Sequence, residues 1–459
     1  MDHQASPHDP AGATAALTDM HRLLERLGLG RRDLRAWAMY DWANSAFQTT
    51  IVAAIFPIYF QKVAAAGMPA PVATSRFAWA TTWAILIVAV IAPVLGAVAD
   101  YAAAKKKLLA VFLAIGATAT GAMYFITRGD WMFALVLFVI SNVGVAGSIV
   151  FYESLLPHLV GEDELDRVSS AGYALGYLGG GVLLAINIVM MSKPSWFGLP
   201  DREVAVRASL ASVAVWWVLF SIPLFRDVPE PPRRLEQDET PGGNPLVNAV
   251  RRLIETVREL RRYREAFMLL LAFLLYNDGI QTIIRMATTY GTEIGIDENA
   301  MILALLITQF IGVPFAFMFG MFAHKVGAKR AVFVGLAVYA VITVLGYFMR
   351  TAFQFFALAI MVGMVQGGTQ SLSRSLFASM IPKHKSSEFF AFFGVFERYA
   401  GILGPAVFAW VVAHSGTSRN AILSVLAFFV IGGLMLTVVD VDEGRRAARA
   451  AEADATRQS

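Results

Sequence analysis

Long apolar runs constrain this chain more than any other feature. Stretches of about twenty or more apolar residues recur along nearly all of its 459 residues. Each is long enough to cross a hydrocarbon layer of roughly 30 Å as a helix. Only 16% of the residues are charged, against about a quarter in soluble domains. The pattern predicts an all-α integral membrane protein with twelve transmembrane helices, at residues 36–61, 77–99, 108–127, 131–156, 168–192, 204–225, 266–290, 300–323, 331–349, 353–380, 387–413 and 420–438.

The basic residues are distributed unevenly between the two ends of these predicted helices. An even number of spans places both termini on one side. That side holds 27 of the 38 Lys and Arg residues, the opposite side holds eight, and three lie inside spans. Cytoplasmic loops carry the Lys and Arg excess. The sequence therefore predicts a multi-pass protein of the inner (plasma) membrane with both termini in the cytoplasm.

The longest connection divides the chain into two sets of six spans. Residues 226–265 begin as a Pro-rich and charged linker and continue as an Arg-rich amphipathic segment, which predicts a helix on the membrane surface. The expected organisation is a leader (1–35), an N-terminal six-helix bundle (36–225), the cytoplasmic linker (226–265), a C-terminal six-helix bundle (266–438) and a cytoplasmic tail (439–459).

Matching motifs six spans apart indicate that the two sets arose by duplication. The first span carries Asp41, Asn44 and Gln48, and the seventh carries Asp278, Gln281 and Arg285 at the same spacing of 0, +3 and +7. The fourth and tenth spans both end in a Ser-x-x-Pro sequence. Because corresponding spans run in the same direction, the halves are predicted to be parallel repeats.

Polar residues inside the spans are the candidates for a functional site. Residues at i, i+3 and i+7 share one helix face, and ionisable groups in membrane spans normally face a cavity or a partner. The alternative is a purely structural network of ion pairs. The predicted substrate-binding residues are Asp41, Asn44, Gln48, Asp278, Gln281, Arg285, Gln370 and Arg374.

Two carboxylates are the candidates for proton coupling. Asp41 lies on the first span and Glu153 near the end of the fourth. Burial raises the pKa of a carboxylate, which lets it load and release protons. Glu153 is equally compatible with a gate role at the helix end.

Glycines on the fifth span predict close helix packing. Gly172, Gly176 and Gly180 are four residues apart, and small residues at this spacing let helices approach closely in lipid.

Other classes of function find little support in the sequence. It contains no cysteine, no nucleotide-binding glycine loop, no zinc-protease motif and no nucleophile elbow. We therefore expect no enzymatic activity, no metal or other cofactor and no nucleic-acid partner. The expected partners are a small-molecule substrate, H⁺ and the lipid bilayer, for a monomer.

Several stretches resemble a known family. The loop GAVADYAAAKKK, residues 96–107, is similar to the signature loop of the major facilitator superfamily, although Ala103 replaces its usual glycine. YDWANSAF from Tyr40, GYALGYLGGG from Gly172 and GGTQSLSRSLFASMIPKHKSSEFFAFF from Gly367 resemble the family of the autophagy-related vacuolar amino-acid effluxer and its bacterial relatives.

The resemblance implies a permease, that is, a secondary active transporter of a small organic solute such as an amino acid, working by alternating access. Asp100, Lys105 and Lys106 are expected to form its cytoplasmic gate. The alternative from another class is a non-transporting receptor or lipid-handling protein on the same fold. That alternative predicts closed ion pairs and no polar cavity.

Overall fold

The computed structural model describes residues 28–102, 105–160, 162–230, 260–382 and 399–458, and the separate residues 22, 24, 25, 258, 389, 393, 394, 396 and 397. Every regular element in this part of the chain is helical, which confirms the predicted all-α class. Within it, eight helices are long and apolar enough to cross a membrane, and two shorter apolar helices accompany them.

The N-terminal half, here residues 32–227, begins with a long first helix of mixed geometry. It consists of α1 (Arg32–Phe47), a π-helical segment (Gln48–Ala54), α2 (Ile55–Tyr59) and a second π-helical segment (Phe60–Ala64). The remaining helices are α3 (Ala70–Ala102), α4 (Lys105–Ala122), α5 (Trp131–Leu159), α6 (Glu162–Ser192) and α7 (Arg202–Asp227).

The C-terminal half, here residues 264–438, consists of α8 (Arg264–Glu293), α9 (Glu298–Val326), α10 (Ala328–Phe348), α11 (Ala352–Ser379), α12 (Leu403–Ser415), α13 (Ser418–Ser424) and α14 (Leu426–Val438). A tail helix, α15 (Val441–Gln458), follows. Helices coincide with eleven of the predicted spans, and α12 with the end of the eleventh. Most of residues 383–398 lie outside the described residues, as do most of the leader and of the predicted linker helix, so the count of twelve stays a prediction.

The helix ends define two faces of the bundle. At the terminal face, the start of α1 meets the ends of α5 and α7: Arg31 Nη1 donates to Leu159 O (2.9 Å), and Arg32 pairs with Asp227 (3.0 Å). The far face holds the opposite helix ends, near residues 61–74, 193–202, 293–299 and 415–419. Loops alternate between the two faces, as expected of a spanning bundle.

Pro57 accounts for part of the irregular geometry of the first helix. A proline has no backbone N–H and cannot donate to the carbonyl four residues earlier, here that of Ala53. This carbonyl instead accepts a hydrogen bond from Thr288 Oγ1 on α8, at 2.7 Å. The carbonyl that Pro57 leaves without a helical donor therefore makes a polar contact between the two halves. Single π-helical turns of this kind occur frequently at functional sites.

The glycines of α6 pack against α1, which confirms the prediction from their spacing. A Cβ on Gly176 would lie 2.5 Å from Ser45 Oγ, and one on Gly180 would lie 2.5 Å from Thr49 Oγ1. The polar face of α1 therefore fits into the groove that the glycines leave open.

The most extensive contacts between the halves, among the described residues, are those of α3 with α12 and of α6 with α9. Ser75 Oγ on α3 donates to Ala409 O on α12 at 3.1 Å. Polar side chains between these pairs are enclosed, and they form the site described next.

Candidate functional site

A cavity of about 1000 Å³ lies between the halves. It extends from Trp37 and Leu156, near the terminal face, to Tyr290 and Met349, deep in the C-terminal half. Of the predicted site residues, those on its wall are Asp41, Gln48, Glu153, Gln281, Arg285 and Arg374. The sequence therefore predicted a large part of the polar wall.

Arg285 carries a positive charge in this wall without a matching hydrogen-bond acceptor. Its Nε and Nη1 are buried and have no partner among the described residues. Asp278, seven residues earlier on the same helix, does not come within the 4.0 Å of Arg285 that defines a salt bridge. Burying guanidinium N–H groups without hydrogen-bond acceptors is costly. Arg285 is therefore equipped to bind an anionic group that enters the cavity.

Arg374, in contrast, is already paired. Its Nη2 donates to Glu397 Oε2 at 3.0 Å, and both side chains line the cavity. The sequence analysis left open whether Arg374 belongs to a substrate cradle or to a structural pair. Its partner is Glu397, so Arg285 is the stronger candidate for an anion ligand.

Asp41 is held by an aromatic cluster at the terminal end of the cavity. Its Oδ2 accepts a hydrogen bond from Tyr152 OH at 2.8 Å. Tyr152 stacks on Trp37, with ring centroids 4.6 Å apart, and its carbonyl accepts from Trp37 Nε1. The carboxylate thus has a fixed position on the cavity wall, between Tyr152 and Asn44.

Amide side chains from several helices complete the polar wall. One of them, Gln309 on α9, bridges the halves, since its Nε2 donates to Thr49 Oγ1 at 3.0 Å. Amides offer both donors and acceptors without a charge, so this wall suits the neutral polar groups of a solute. The amides on the wall are Gln48, Asn142, Gln281, Gln309 and Gln366.

Three predicted binding residues do not line the cavity. Asn44 Nδ2 donates to Tyr40 O in its own helix at 2.9 Å, and Gln370 Nε2 donates to Asn277 Oδ1 at 3.0 Å. Asp278 is 1% exposed and accepts backbone hydrogen bonds from the start of α12. Helical periodicity indicates the face of a helix on which each residue lies. It does not indicate which neighbouring residues cover that face.

The predicted gate residues lie at the terminal face. The side chain of Asp100 is outside the described part of the structure. Lys105 and Lys106 begin α4 and contact the last turns of α5 and α7. Lys105 Nζ lies 3.4 Å from Ser154 O and 3.1 Å from His158 Nε2, and Lys106 Nζ donates to Phe225 O (2.9 Å) and Val228 O (2.5 Å). Three of these partners belong to the N-terminal half, and Val228 directly follows its last helix.

An ionic cluster joins the two halves at the far face, and the sequence analysis did not identify it. Glu298, at the start of α9, pairs with Lys62 at 2.5 Å and with Arg202 at 3.7 Å. Arg202 Nη2 also donates to Asn299 Oδ1 at 2.7 Å. All four residues lie at helix ends, where a charge resembles an ordinary solvated residue.

A second polar cluster lies beside the first. Glu293, at the end of α8, accepts from Thr74 Oγ1 on α3 and from the backbone N–H of Ser418 (3.0 Å). Gln61 Nε2 in turn donates to Thr74 Oγ1 at 3.0 Å. Glu298, Lys62, Arg202, Glu293 and Thr74 are called the far-face latch below, because together they hold the halves closed at this face.

Comparison with known proteins decides the family. The family model described as "Vacuole effluxer Atg22 like" matches residues 71–449. The chain belongs to this Atg22-like family. The match confirms the resemblance seen in the sequence of this Atg22-like protein.

Full-length relatives place this Atg22-like protein among transporters. It is 34% identical to the uncharacterized MFS-type transporter YxiO of Bacillus subtilis over 406 residues, which cover 88% of this chain and 94% of YxiO. It is 24% identical to autophagy-related protein 22-1 of Penicillium rubens, covering 87% and 82% of the two chains. It is a multi-pass membrane transporter of the major facilitator type.

Solved structures confirm the major facilitator fold. A D-xylose-proton symporter superposes with a TM-score of 0.65 at 16% identity, covering 90% of this chain and 98% of the symporter. The nucleoside transporter NupG superposes with a TM-score of 0.64 at 14% identity, covering 89% of this chain and all of NupG. At these identities the likeness is one of fold.

Proposed function

We propose that this protein is a secondary active transporter of a small carboxylate-bearing solute, with apolar neutral amino acids as the substrate class. The observation that carries the proposal is Arg285, whose buried Nε and Nη1 lack acceptors on the cavity wall. A carboxylate matches a guanidinium in planar, bidentate geometry. Binding of the solute would supply the hydrogen-bond acceptors that the described neighbours of Arg285 do not.

The remaining walls of the cavity support a solute with a polar end and an apolar body. Arg285 and the amide side chains lie near the middle of the bundle. The deep part within the C-terminal half is lined mainly by buried apolar side chains, among them Ile342, Met349, Phe355 and Val362. An aliphatic or aromatic side chain placed there is removed from water, which favours binding in proportion to its area.

Asp41 is too far from Arg285 to bind the same small zwitterion. The Thr288–Ala53 hydrogen bond sets the relative height of α8 and the first helix. Asp41 is twelve residues below Ala53, and Arg285 is three residues below Thr288. At 1.5 Å per residue, the two charges are separated by roughly 13 Å along the bundle axis.

This separation supports different roles for the two charged groups. The ammonium and carboxylate of an amino acid are joined through one carbon atom, so they cannot reach both Asp41 and Arg285. We assign the anion to Arg285 and the transported proton to Asp41, with Glu153 as the second candidate on the same route. Intramembrane carboxylates commonly serve as proton relays in transporters.

The polar contacts between the halves are those of one conformational state of an alternating-access cycle. The far-face latch joins the halves, whereas the hydrogen bonds described for Lys105 and Lys106 go to α5, to the end of α7 and to Val228 and Glu230 just after it. If the excess of Lys and Arg marks the cytoplasmic side, the cavity is closed to the outside and this state is inward-facing. The plasma membrane is then the proposed location.

Thermal stabilisation of the purified protein tests this proposal. A ligand at 100 times its Kd stabilises the folded state by about 2.7 kcal/mol. We expect L-leucine and other apolar amino acids to raise the Tm, and sugars to leave it unchanged. Arg285→Ala should abolish the increase, whereas Arg350→Ala, in the loop after α10, should retain it.

Proteoliposomes then test transport itself. We expect an inward-directed proton gradient to accelerate L-leucine transport, by symport or antiport with H⁺. Asp41→Asn should make the rate of transport independent of the gradient. L-leucine stabilisation that persists in Arg285→Ala would refute the anion site. Stabilisation by lipids alone would favour the lipid-handling alternative.

A further inference from the structure

The eleventh predicted span is interrupted, and its second part starts without a cap of its own. Residues 400–402 are not helical, and Gly401 has a φ of 104°, which is accessible to glycine and strained for other residues. α12 begins at Leu403, and Ile402 before it offers no side-chain hydrogen bond. The first N–H groups of α12 therefore need acceptors from elsewhere.

Asp278 on α8 supplies these acceptors. Its Oδ2 accepts from Leu403 N at 3.0 Å, and its Oδ1 accepts from Gly404 N at 2.7 Å. Gly404 has no Cβ, and one placed there would lie 1.7 Å from Thr282 Oγ1 and 2.7 Å from Asp278 Oδ1, both on α8. Both oxygens of the carboxylate are thus engaged, and a glycine is what allows α12 to approach α8 so closely.

The residues around this contact connect it to both the cavity and the interface between the halves. Asp278 and Arg285 are seven residues apart and share one face of α8. A Cβ on Gly401 would lie 3.4 Å from Gln281 Cβ and 3.9 Å from Arg285 Nε. On its other side, α12 packs on α3, where Ala409 O accepts from Ser75.

We infer that Asp278 is a positioning residue that holds α12 to α8, so that movement of α8 on solute binding is transmitted to the α3–α12 interface. In this role it does not contact the solute. A carboxylate at a helix N-terminus combines charge-assisted hydrogen bonds with a favourable interaction with the helix dipole. The interrupted segment at Gly401 lets α12 follow α8 independently of the residues before it. The inference rests on the transport function proposed above.

Two variants break the contact from opposite sides, and a third serves as a control. Asp278→Asn removes the charge and replaces one acceptor by a donor. Gly404→Ala leaves the carboxylate intact and pushes the start of α12 away from it. Thr282→Val is the matched control, because Thr282 is also buried beside Gly404 but its hydroxyl donates only to Asp278 O within its own helix.

We expect Asp278→Asn and Gly404→Ala to slow the transport of L-leucine without weakening its binding. Losing hydrogen bonds to a charged group should lower the transport rate about tenfold or more. The Kd for L-leucine should stay within about twofold of the unmutated value, since Arg285 is untouched. Thr282→Val should change neither quantity.

Site-specific labelling follows the interface directly. The chain has no cysteine, so Ala409→Cys introduces a single thiol on α12. We expect L-leucine to change its labelling rate in the unmutated background, and this change to be absent in Asp278→Asn and in Gly404→Ala.

Three results would overturn the inference. A proportional loss of L-leucine affinity in Asp278→Asn would make Asp278 a solute ligand. Unchanged transport in both variants would show that the cap is dispensable. If the unmutated protein binds no amino acid, the transport proposal fails, but the α8–α12 contact can still be tested without a ligand. Faster labelling of Ala409→Cys in both variants, but not in Thr282→Val, would support this contact. The same labelling rate in the unmutated background and in both variants would refute it.

Discussion

The carboxylate of Asp41 occupies space that Gly172 leaves free. A Cβ on residue 172 would lie 2.5 Å from Asp41 Oδ2, well inside van der Waals contact. The same carboxylate accepts from Tyr152 OH. Helix packing and the position of a candidate proton carrier therefore depend on the same glycine.

Gly172→Ala should displace Asp41 and destabilise the α1–α6 pair. Overpacking of this kind typically costs about 1–3 kcal/mol. We expect a lower Tm in detergent and slower proton-dependent transport. Gly181→Ala on the same helix is the control, because its Cβ would lie 3.5 Å from Phe310, an ordinary contact. Equal effects of the two substitutions would contradict a specific role of Gly172.

The far-face latch should set the balance between the two states of the cycle. Glu298→Gln removes the acceptor charge for Lys62 and Arg202, and we expect the far face to open more often. Labelling of Ser75→Cys by an impermeant thiol reagent should accelerate several-fold, since exposed and half-exposed ion pairs contribute up to about 1 kcal/mol each.

Glu203→Gln provides the comparison for the latch. Glu203 lies on the same face at the start of α7, is exposed and forms no salt bridge with any described residue. Labelling that increases equally in both variants would indicate a general charge effect.

The hydrogen bond between Thr288 and Ala53 should contribute to the contact between the halves. Thr288→Val removes the donor and leaves the Ala53 carbonyl without it, at a cost of about 1 kcal/mol. We expect a reduced Tm and an altered transport rate with L-leucine. Thr292→Val should be milder, because that hydroxyl donates only to Thr288 O in its own helix, at 2.8 Å. A larger loss from Thr292→Val would refute this assignment.

The deep apolar part of the cavity should select for the side chain of the solute. Ala359 lines it and is 9% exposed. Ala359→Leu fills this space, and we expect the affinity for L-leucine to fall about tenfold, which corresponds to about 1.4 kcal/mol. Binding of glycine, which lacks a side chain, should change little. Calorimetry on both ligands measures the difference, and a uniform loss for both would place the solute's side chain elsewhere.

Much of the site was accessible to sequence reasoning because membrane helices obey simple rules. Asp41, Gln48, Gln281 and Arg285 are polar residues in long apolar runs, and such residues normally face a cavity. The glycines of α6 follow the spacing of close packing. Both signals are local, so one sequence is enough to detect them.

Other residues could be assigned only from their neighbours. Asp278 has the same periodicity as Arg285, yet it caps α12, which begins 125 residues later. The position of Arg374 in its span is equally compatible with a free guanidinium, but in the structure it pairs with Glu397. Helical periodicity specifies a direction from the helix axis and not what another helix places there.

The sequence by itself determined the helices, their membrane character and the family of this protein, since these depend on runs of apolar residues and on contiguous motifs. Only the tertiary structure decided which charges are paired, which face of the bundle is closed and where Arg285 lies without an acceptor. Those properties depend on side chains far apart in the chain, such as Lys62 and Glu298. The free energy of a charge in a membrane is set by such neighbours, and they become neighbours only when the helices assemble.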